Sequence, residues 1–225
     1  MEETGSVEIK KIGIVGGTGK EGKGLAYRWA KAGYEVSIGS RQIEKAQAAA
    51  AEVNGLLKGE TCAGLTNLDV ARQADLVVMT VPFSVHREML EAMRPIVQGK
   101  IVIDVTVPLV PSKVTKVQMP PAGSAAQEAQ SILGEGVQVC SAFQNISYEH
   151  LLHDEEVACD VLVCGSSKAA RSVVMKLVAA AGLIGWDAGP IENSAVVEGM
   201  TSILIGINKQ YGVQSAGIRI TGVTR

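Results

Sequence analysis

The stretch KIGIVGGTGKEGKGLAYRWAKA, residues Lys11–Ala32, decides the fold. Its apolar start is the short run typical of a strand buried on both faces. A G-x-G-x-x-G pattern from Gly17 to Gly22 follows, and apolar residues then recur at helical spacing. Strand, glycine turn and helix in this order predict a dinucleotide site, because glycines let the backbone approach a diphosphate at a helix N-terminus.

The pattern alone is weak, since 25 of the 225 residues are glycine. Its position after a strand, at the start of a helix and near the N-terminus favours a nucleotide site over a merely structural turn. The residues of the turn are therefore the first predicted cofactor-binding group: Gly16, Gly17, Thr18, Gly19, Lys20 and Glu21.

Composition limits the class of protein. The length fits one large domain, or one domain with a small appendage. Hydrophobic residues make up 47% and aromatic residues 4%, which predicts an aliphatic core. A net charge of −2 argues against nucleic acid as a partner. Without a long uncharged apolar run or a signal-like N-terminus, we expect a cytoplasmic protein that does not enter the membrane.

No metal site is expected. The four cysteines have no C-x-x-C spacing and are predicted to be buried free thiols. His150 and His153 are three residues apart, but acidic residues follow them, which favours a solvated turn over a metal site.

Strand-like and helix-like stretches alternate from residue 34 to residue 105, which predicts a Rossmann-type, doubly wound, mostly parallel α/β sheet. In this pattern a helix over 42–53 is ended by Asn54-Gly55, and Asn67 caps the next helix. The last third changes character and predicts a small C-terminal α/β part. We therefore expect an NADP-binding domain over 1–145 and, over 146–225, a smaller domain that forms the second-substrate cleft.

The end of the second predicted strand indicates NADP preference. NAD sites usually place an acid there, whereas this chain reads Gly39-Ser40-Arg41. Arg41 offers a permanently charged, planar group for a 2′-phosphate, and Ser40, Thr18 and Lys45 add further donors. The alternative is that Arg41 and Lys45 form an ordinary solvated helix start.

Two other strand ends are predicted to flank the nicotinamide. They are Thr80-Val81-Pro82-Phe83 and Val105-Thr106-Val107-Pro108, since ligands lie across the carboxyl ends of strands in such sheets. The loop over 106–123 is long enough to be functional, either covering the cofactor or shaping the second pocket.

A late helix from Asn193 to Tyr211 carries an apolar stripe, which is interpreted as core or a dimer face, or otherwise as a cofactor wall. Its members are Val196, Val197, Met200, Ile203, Leu204 and Ile207.

Several segments together resemble the coenzyme F420-dependent NADP reductases over about residues 9–222. These segments are IGIVGGTGKEGKGLA, VSIGSRQIEKA, VVMTVPF, VLVCG, DAGP and AGIRIT. The resemblance implies a Rossmann domain with a small C-terminal part, often as a homodimer, that passes a hydride between NADPH and a 5-deazaflavin. It also implies which residues hold the 2′-phosphate (Thr18, Ser40, Arg41 and Lys45) and which line the nicotinamide (Val81-Pro82 and Val107-Pro108).

One segment departs from the family pattern. Archaeal members carry S-A-L-H-T-I beside the deazaflavin, whereas this chain reads Ser141 to Ile146 as SAFQNI, with Ala142 in the shared part. Gln144 replaces the histidine and can donate a hydrogen bond to a ring carbonyl, and Ile146 keeps the apolar contact. The segment is also similar to A-F-N-V-I-S of the STEAP-type metalloreductases, whose acceptor is a flavin. Coenzyme F420 and a flavin are therefore both expected acceptors, oriented by Gln144 and Ile146.

Two other functions remain open from the sequence. One is a non-catalytic NADPH-binding or sensing module. The other is an NADPH-dependent reductase of a small carbonyl or imine substrate, which would need a proton donor such as His86 or Tyr148.

Overall fold

A computed structural model describes residues 8–152, 154 and 156–223. Eight strands are described: β1 (Lys11–Val15), β2 (Glu35–Ser40), β3 (Cys62–Thr66), β4 (Leu76–Met79), β5 (Ile101–Asp104), β6 (Gln138–Ser141), β7 (Asp160–Gly165) and β8 (Ile184–Pro190). The α-helices are α1 (Lys20–Lys31), α2 (Ile43–Leu57), α3 (Asn67–Gln73), α4 (His86–Met93), α5 (Ala125–Leu133), α6 (Lys168–Ala180) and α7 (Ser194–Tyr211). Short 3₁₀ turns cover Phe83–Val85, Tyr148–His150 and Ile191–Asn193.

The strands form a single sheet in the order β3-β2-β1-β4-β5-β6-β7-β8. Every neighbouring pair is parallel except β6 and β7. The strand order reverses between β1 and β4, and in such sheets the ligand crevice lies at this switch point. The doubly wound α/β prediction is confirmed.

The C-terminal third extends the same sheet. β7 and β8 continue it beyond β6, and α6 packs against both of them. The described residues form no second sheet that would mark a domain boundary at residue 145. The division into two domains stays a prediction.

Helix α1, which connects β1 to β2, is buried along most of its length. The Trp29 indole N–H donates to the Leu177 carbonyl at 2.9 Å. The Arg28 guanidinium donates to the carbonyls of Leu151, His150 and Ala181. Because a buried cation needs such acceptors, these bonds fix α1 against the chain that follows β6.

Two boundaries differ from the sequence prediction. Helix α2 does not stop at Asn54-Gly55 but continues to Leu57, and Lys58 ends it in the left-handed conformation with φ 53°. The Asn54 side chain instead bonds Cys62 on both its N–H and its carbonyl, so it joins α2 to β3. Asn67 is not the cap of α3, because the Thr66 side chain accepts the Asp69 N–H.

The predicted apolar stripe of α7 divides into two faces. Val197 and Leu204 are buried, whereas Val196, Ile203 and Ile207 face outward. No helix or strand occurs within 106–123, and this loop packs against α7, where the Ser202 hydroxyl lies 3.4 Å from the Lys116 carbonyl oxygen. Over the described part of the chain, none of the helices combines the length and apolar character that crossing a bilayer requires.

Candidate functional site

The glycine turn between β1 and α1 is closely packed on its inner side. Gly16 has φ +74°, and a Cβ there would lie 2.6 Å from Val81 Cγ1. A Cβ at Gly22 would lie 2.5 Å from the Gly17 Cα. Both positions therefore require glycine for backbone packing, and the first turn of α1 sits directly on the turn that precedes it.

Gly19 is different, because nothing in the described protein lies within 4 Å of a Cβ built there. Its φ of −73° and ψ of 169° are open to any residue. It is the N-cap of α1 and offers no side-chain cap to the free N–H groups of the helix. An uncapped helix N-terminus behind an open glycine fits a diphosphate group of a dinucleotide.

A cleft of about 710 Å³ beside this turn brings together the four predicted 2′-phosphate ligands. Its lining includes Thr18, Ser40, Arg41 and Lys45. Two separate chain segments, the glycine turn and the stretch from the end of β2 into α2, thus supply two cationic groups and two hydroxyls to one site. Glu88 from α4 also lines this cleft.

Asn67 is a site residue whose role the sequence analysis missed. Its side-chain oxygen accepts the Gly16 N–H at 3.0 Å, and its side chain lines the cleft. A Cβ at Gly39 would lie 2.7 Å from the same oxygen, so β2, α3 and the glycine turn meet at this amide. The only sequence signal was a polar residue following β3.

A second cavity of about 390 Å³ lies on the other side of Val81 and Pro82, which line both spaces. The lining includes Thr80, Val107, Gln144, Ile146 and Tyr148. The predicted nicotinamide and second-ring residues are therefore mostly adjacent. Pro108 and Ala142 are buried and do not line either space.

The turn after β6 is held rigidly. Phe143 has φ +74°, an uncommon conformation for a residue with a side chain. The Thr201 hydroxyl donates to the Gln144 carbonyl at 2.9 Å, which joins the turn to α7. The Gln144 side-chain N–H donates to the Asp104 carbonyl at 2.7 Å, so one of its two donor hydrogens is committed to the protein.

A histidine and a carboxylate are paired behind this cavity. His86 Nε2 lies 2.7 Å from Asp104 Oδ2, and both side chains are fully buried. Burial opposes the charged imidazole, but Asp104 outweighs it and raises the His86 pKa. His86 does not line the cavity, so it is not the proton donor that a carbonyl reductase would need; Tyr148 does line it.

The described residues contain no group of three or more His, Cys, Asp or Glu side chains that could hold a metal. His150 lies in a 3₁₀ turn, and its carbonyl accepts from Arg28. His153, the second member of that pair, lies outside the described residues.

Comparison with known proteins decides the family. Residues 11–108 match the family model described as NADP oxidoreductase, coenzyme F420-dependent. The F420-dependent NADP reductase of Methanocaldococcus jannaschii is 39% identical over 222 residues, covering 95% of this chain and 99% of that protein. The chain belongs to the F420-dependent NADP reductase family.

Two further family relatives agree. The F420-dependent NADP reductase of Methanothermobacter thermautotrophicus is 38% identical over 225 residues, covering 96% of this chain and 97% of that one. A crystal structure from Arthrobacter sp. FB24, described as a candidate F420-dependent NADP reductase, superposes with a TM-score of 0.78. It is 25% identical, and the match covers 95% of this chain and 100% of that one.

For this family member the 146–225 part was expected to form the second-substrate cleft, but the residues by which it lines the cavity were not named from the sequence. Thr201 and Asn208 of α7, and Gln214 and Ala216 of the chain after it, line the 390 Å³ space. The Asn208 side chain accepts the Ala216 N–H at 2.9 Å. Thr201 and Asn208 are seven positions apart, or two helical turns, so they lie on the same face of α7. That shared polar face was the sequence signal that could have identified them as lining residues.

The close-packed Gly22 and the open Gly19 should respond differently to substitution by alanine. Gly22→Ala forces a methyl group into the Gly17 backbone and should lower the free energy of unfolding by about 2 kcal/mol. Gly19→Ala should change stability by less than about 0.5 kcal/mol. It should nevertheless weaken NADPH binding roughly tenfold or more, because the methyl group displaces the diphosphate from charge-assisted N–H contacts.

Urea unfolding and NADPH titration of both variants provide the measurements. Equal losses of stability in the two variants, or unchanged NADPH affinity in Gly19→Ala, would contradict the assignment of Gly19 to the ligand.

Proposed function

We propose that this chain transfers a hydride between NADP(H) and coenzyme F420. One observation carries the proposal: a cleft lined by Arg41 and Lys45 and a less polar cavity share the wall formed by Val81-Pro82. A dinucleotide lying along both spaces would place its phosphates by the cations and its nicotinamide in the cavity. Family membership gives the second substrate as a deazaflavin.

The bound nicotinamide supplies the hydride chemistry, and the residues of this chain position the reactants and limit the access of water. Val81, Pro82 and Val107 would flank one ring. Gln144 and Ile146 would orient the second ring, between the 1–145 and 146–225 parts. Two bonds support this role before a ligand arrives, because the one to Asp104 fixes the Gln144 side chain and the one from Thr201 fixes its backbone carbonyl.

The acceptor is tested by mixing the purified protein with NADPH and oxidised coenzyme F420, FMN or FAD. We expect absorbance of the deazaflavin to bleach and that of both flavins to remain nearly unchanged. Bleaching of a flavin alone would show that the flavin, and not the deazaflavin, is the hydride acceptor. Tight NADPH binding with no bleaching at all would favour the sensing module instead.

The choice of NADP over NAD is proposed to rest on Arg41. Removing a charge-assisted hydrogen bond from a phosphate costs about 1.5–3 kcal/mol, which corresponds to roughly ten- to a hundredfold in affinity. Arg41→Ala should therefore weaken NADPH binding by that factor and change NADH binding little. Fluorescence titration with both nucleotides measures this effect.

The neighbouring variant Gln42→Ala is the matched control, because Gln42 lines the same cleft without a charge. Equal losses for NADPH and NADH in Arg41→Ala would show that the 2′-phosphate is bound elsewhere.

A homodimer and a cytoplasmic location are proposed with this function. The outward face of α7 carries Val196, Met200, Ile203 and Ile207, and Val196 and Ile203 are 68% and 55% exposed. Glu198, the one charged residue of α7 before Lys209, is buried, so this face carries no charge. An uncharged apolar stripe suits an isologous helix pair. Four free, buried cysteines suit a reducing compartment.

The dimer is tested by light scattering after size exclusion. The wild-type protein should have twice the 23.5 kDa of the chain. Ile203→Arg should reduce it to the monomer by placing a charge in the apolar stripe, whereas Leu56→Arg, on the exposed side of α2, should not. A monomeric wild-type protein, or a dimeric Ile203→Arg variant, would exclude this face as the interface.

A further inference from the structure

Glu21 is a carboxyl group in the wall of the 390 Å³ cavity, two residues after the open Gly19. It lies in the first turn of α1 and is partly exposed. Within the described chain no cation forms an ion pair with it and no donor bonds it. The protein around the carboxyl group removes part of its hydration, and this desolvation raises its pKa to about 8.

The lysines nearest to Glu21 in the sequence are committed elsewhere. Lys20 contacts Glu149 at 3.2 Å and lies 4.9 Å above the Tyr148 ring. Lys23 pairs with Glu52 at 2.6 Å. Other titratable or charged groups on the elements around the cavity include Tyr148 and His150 after β6, the His86–Asp104 pair behind the strand ends, Glu198 and Lys209 on α7, and Arg219 in the exposed C-terminal segment.

Of these groups, Glu198 differs from Glu21 because it has hydrogen-bond donors within the protein. Its carboxyl accepts the Ala125 and Ala126 N–H groups at the start of α5. It therefore acts as a buried cap for α5, and it does not line the cavity. Glu21 alone among the described carboxyl groups lines this cavity without a partner.

We propose that Glu21 is the counter-charge of the oxidised nicotinamide: it is ionised beside NADP⁺ and neutral beside NADPH. The nicotinamide ring is a cation only in NADP⁺, and attraction between opposite charges is strong where a bound ring excludes water. With NADPH no cation is present, and a carboxylate would face only the negative phosphates. The proposal rests on the proposed function, since it takes the nicotinamide to lie by Val81 and Pro82.

The sign of the pH dependence follows from linkage. Below the pKa of Glu21 in both complexes the group is neutral, and the ratio of the NADPH to the NADP⁺ dissociation constant is at its minimum. As pH rises, Glu21 ionises first in the NADP⁺ complex, since the cation lowers its pKa there. The ratio then rises by up to about tenfold per pH unit until Glu21 is ionised in both complexes.

The experiment measures both dissociation constants from about pH 6.5 to about pH 9.5 in wild type, Glu21→Gln and Glu149→Gln. The ratio should rise roughly ten- to a hundredfold with pH in wild type. Glu21→Gln should hold it flat at the low-pH value of wild type. Glu149→Gln, which changes a nearby acid that faces Lys20, should behave as wild type. The 2′-phosphate titrates in both ligands alike, so it cancels in the ratio.

Several outcomes overturn the proposal. If the ratio in Glu21→Gln follows that of wild type, the titration belongs to another group. If the wild-type ratio does not change with pH, no group in the protein distinguishes the two ligands in this way. If Glu21→Gln does not fold, calorimetric titrations of the wild-type protein in two buffers measure the number of protons released on binding. At about pH 8, binding of NADP⁺ must release more protons than binding of NADPH. Equal proton release would reject the role of Glu21.

This test is separate from that of the proposed function. A wild-type protein that binds neither nucleotide would contradict the proposed function itself. Nucleotide binding with a flat ratio would contradict only the role of Glu21, and turnover with coenzyme F420 would then be unaffected.

Discussion

The contact between Gly17 and Gly22 is the constraint on which the rest of this structure depends. Because a single methyl group would not fit there, the first turn of α1 must lie directly on the glycine turn. That contact sets where the helix N-terminus points. The burial of α1, including Trp29 and the three carbonyl bonds of Arg28, then fixes the other end of the helix to the C-terminal third. The glycine turn and the wall of the 390 Å³ cavity are thus positioned by one helix.

The structure is fixed at the turn after β6 and open at the start of α1. Around Gln144, the backbone is held in a left-handed turn and bonded to α7. Around Gly19, no protein atom occupies the space that a side chain would take. Orientation needs locked side chains, because ring stacking at reaction distance tolerates little movement. Phosphate binding needs free N–H groups, which an uncapped helix start supplies.

Much of the fold was predictable because its signals are local. The strand, glycine turn and helix from Lys11 are contiguous, and so is the Ser40-Arg41 pair that follows β2. The errors arose where a side chain serves a distant partner. Asn54 looked like a helix stop but bonds β3 across a gap of eight residues. Asn67 looked like a helix cap but holds the amide of Gly16, 51 residues earlier.

The sequence by itself determined the alternation of strands and helices, the family, and the basic residues expected at the 2′-phosphate, because each depends on short stretches of chain. Only the tertiary structure decided which apolar residues of α7 face outward, and that His86 is sealed behind the cavity while Tyr148 lines it. It also showed that Glu21 has no partner among the described residues. Burial and pairing depend on chain segments that are far apart in sequence, so no local pattern records them.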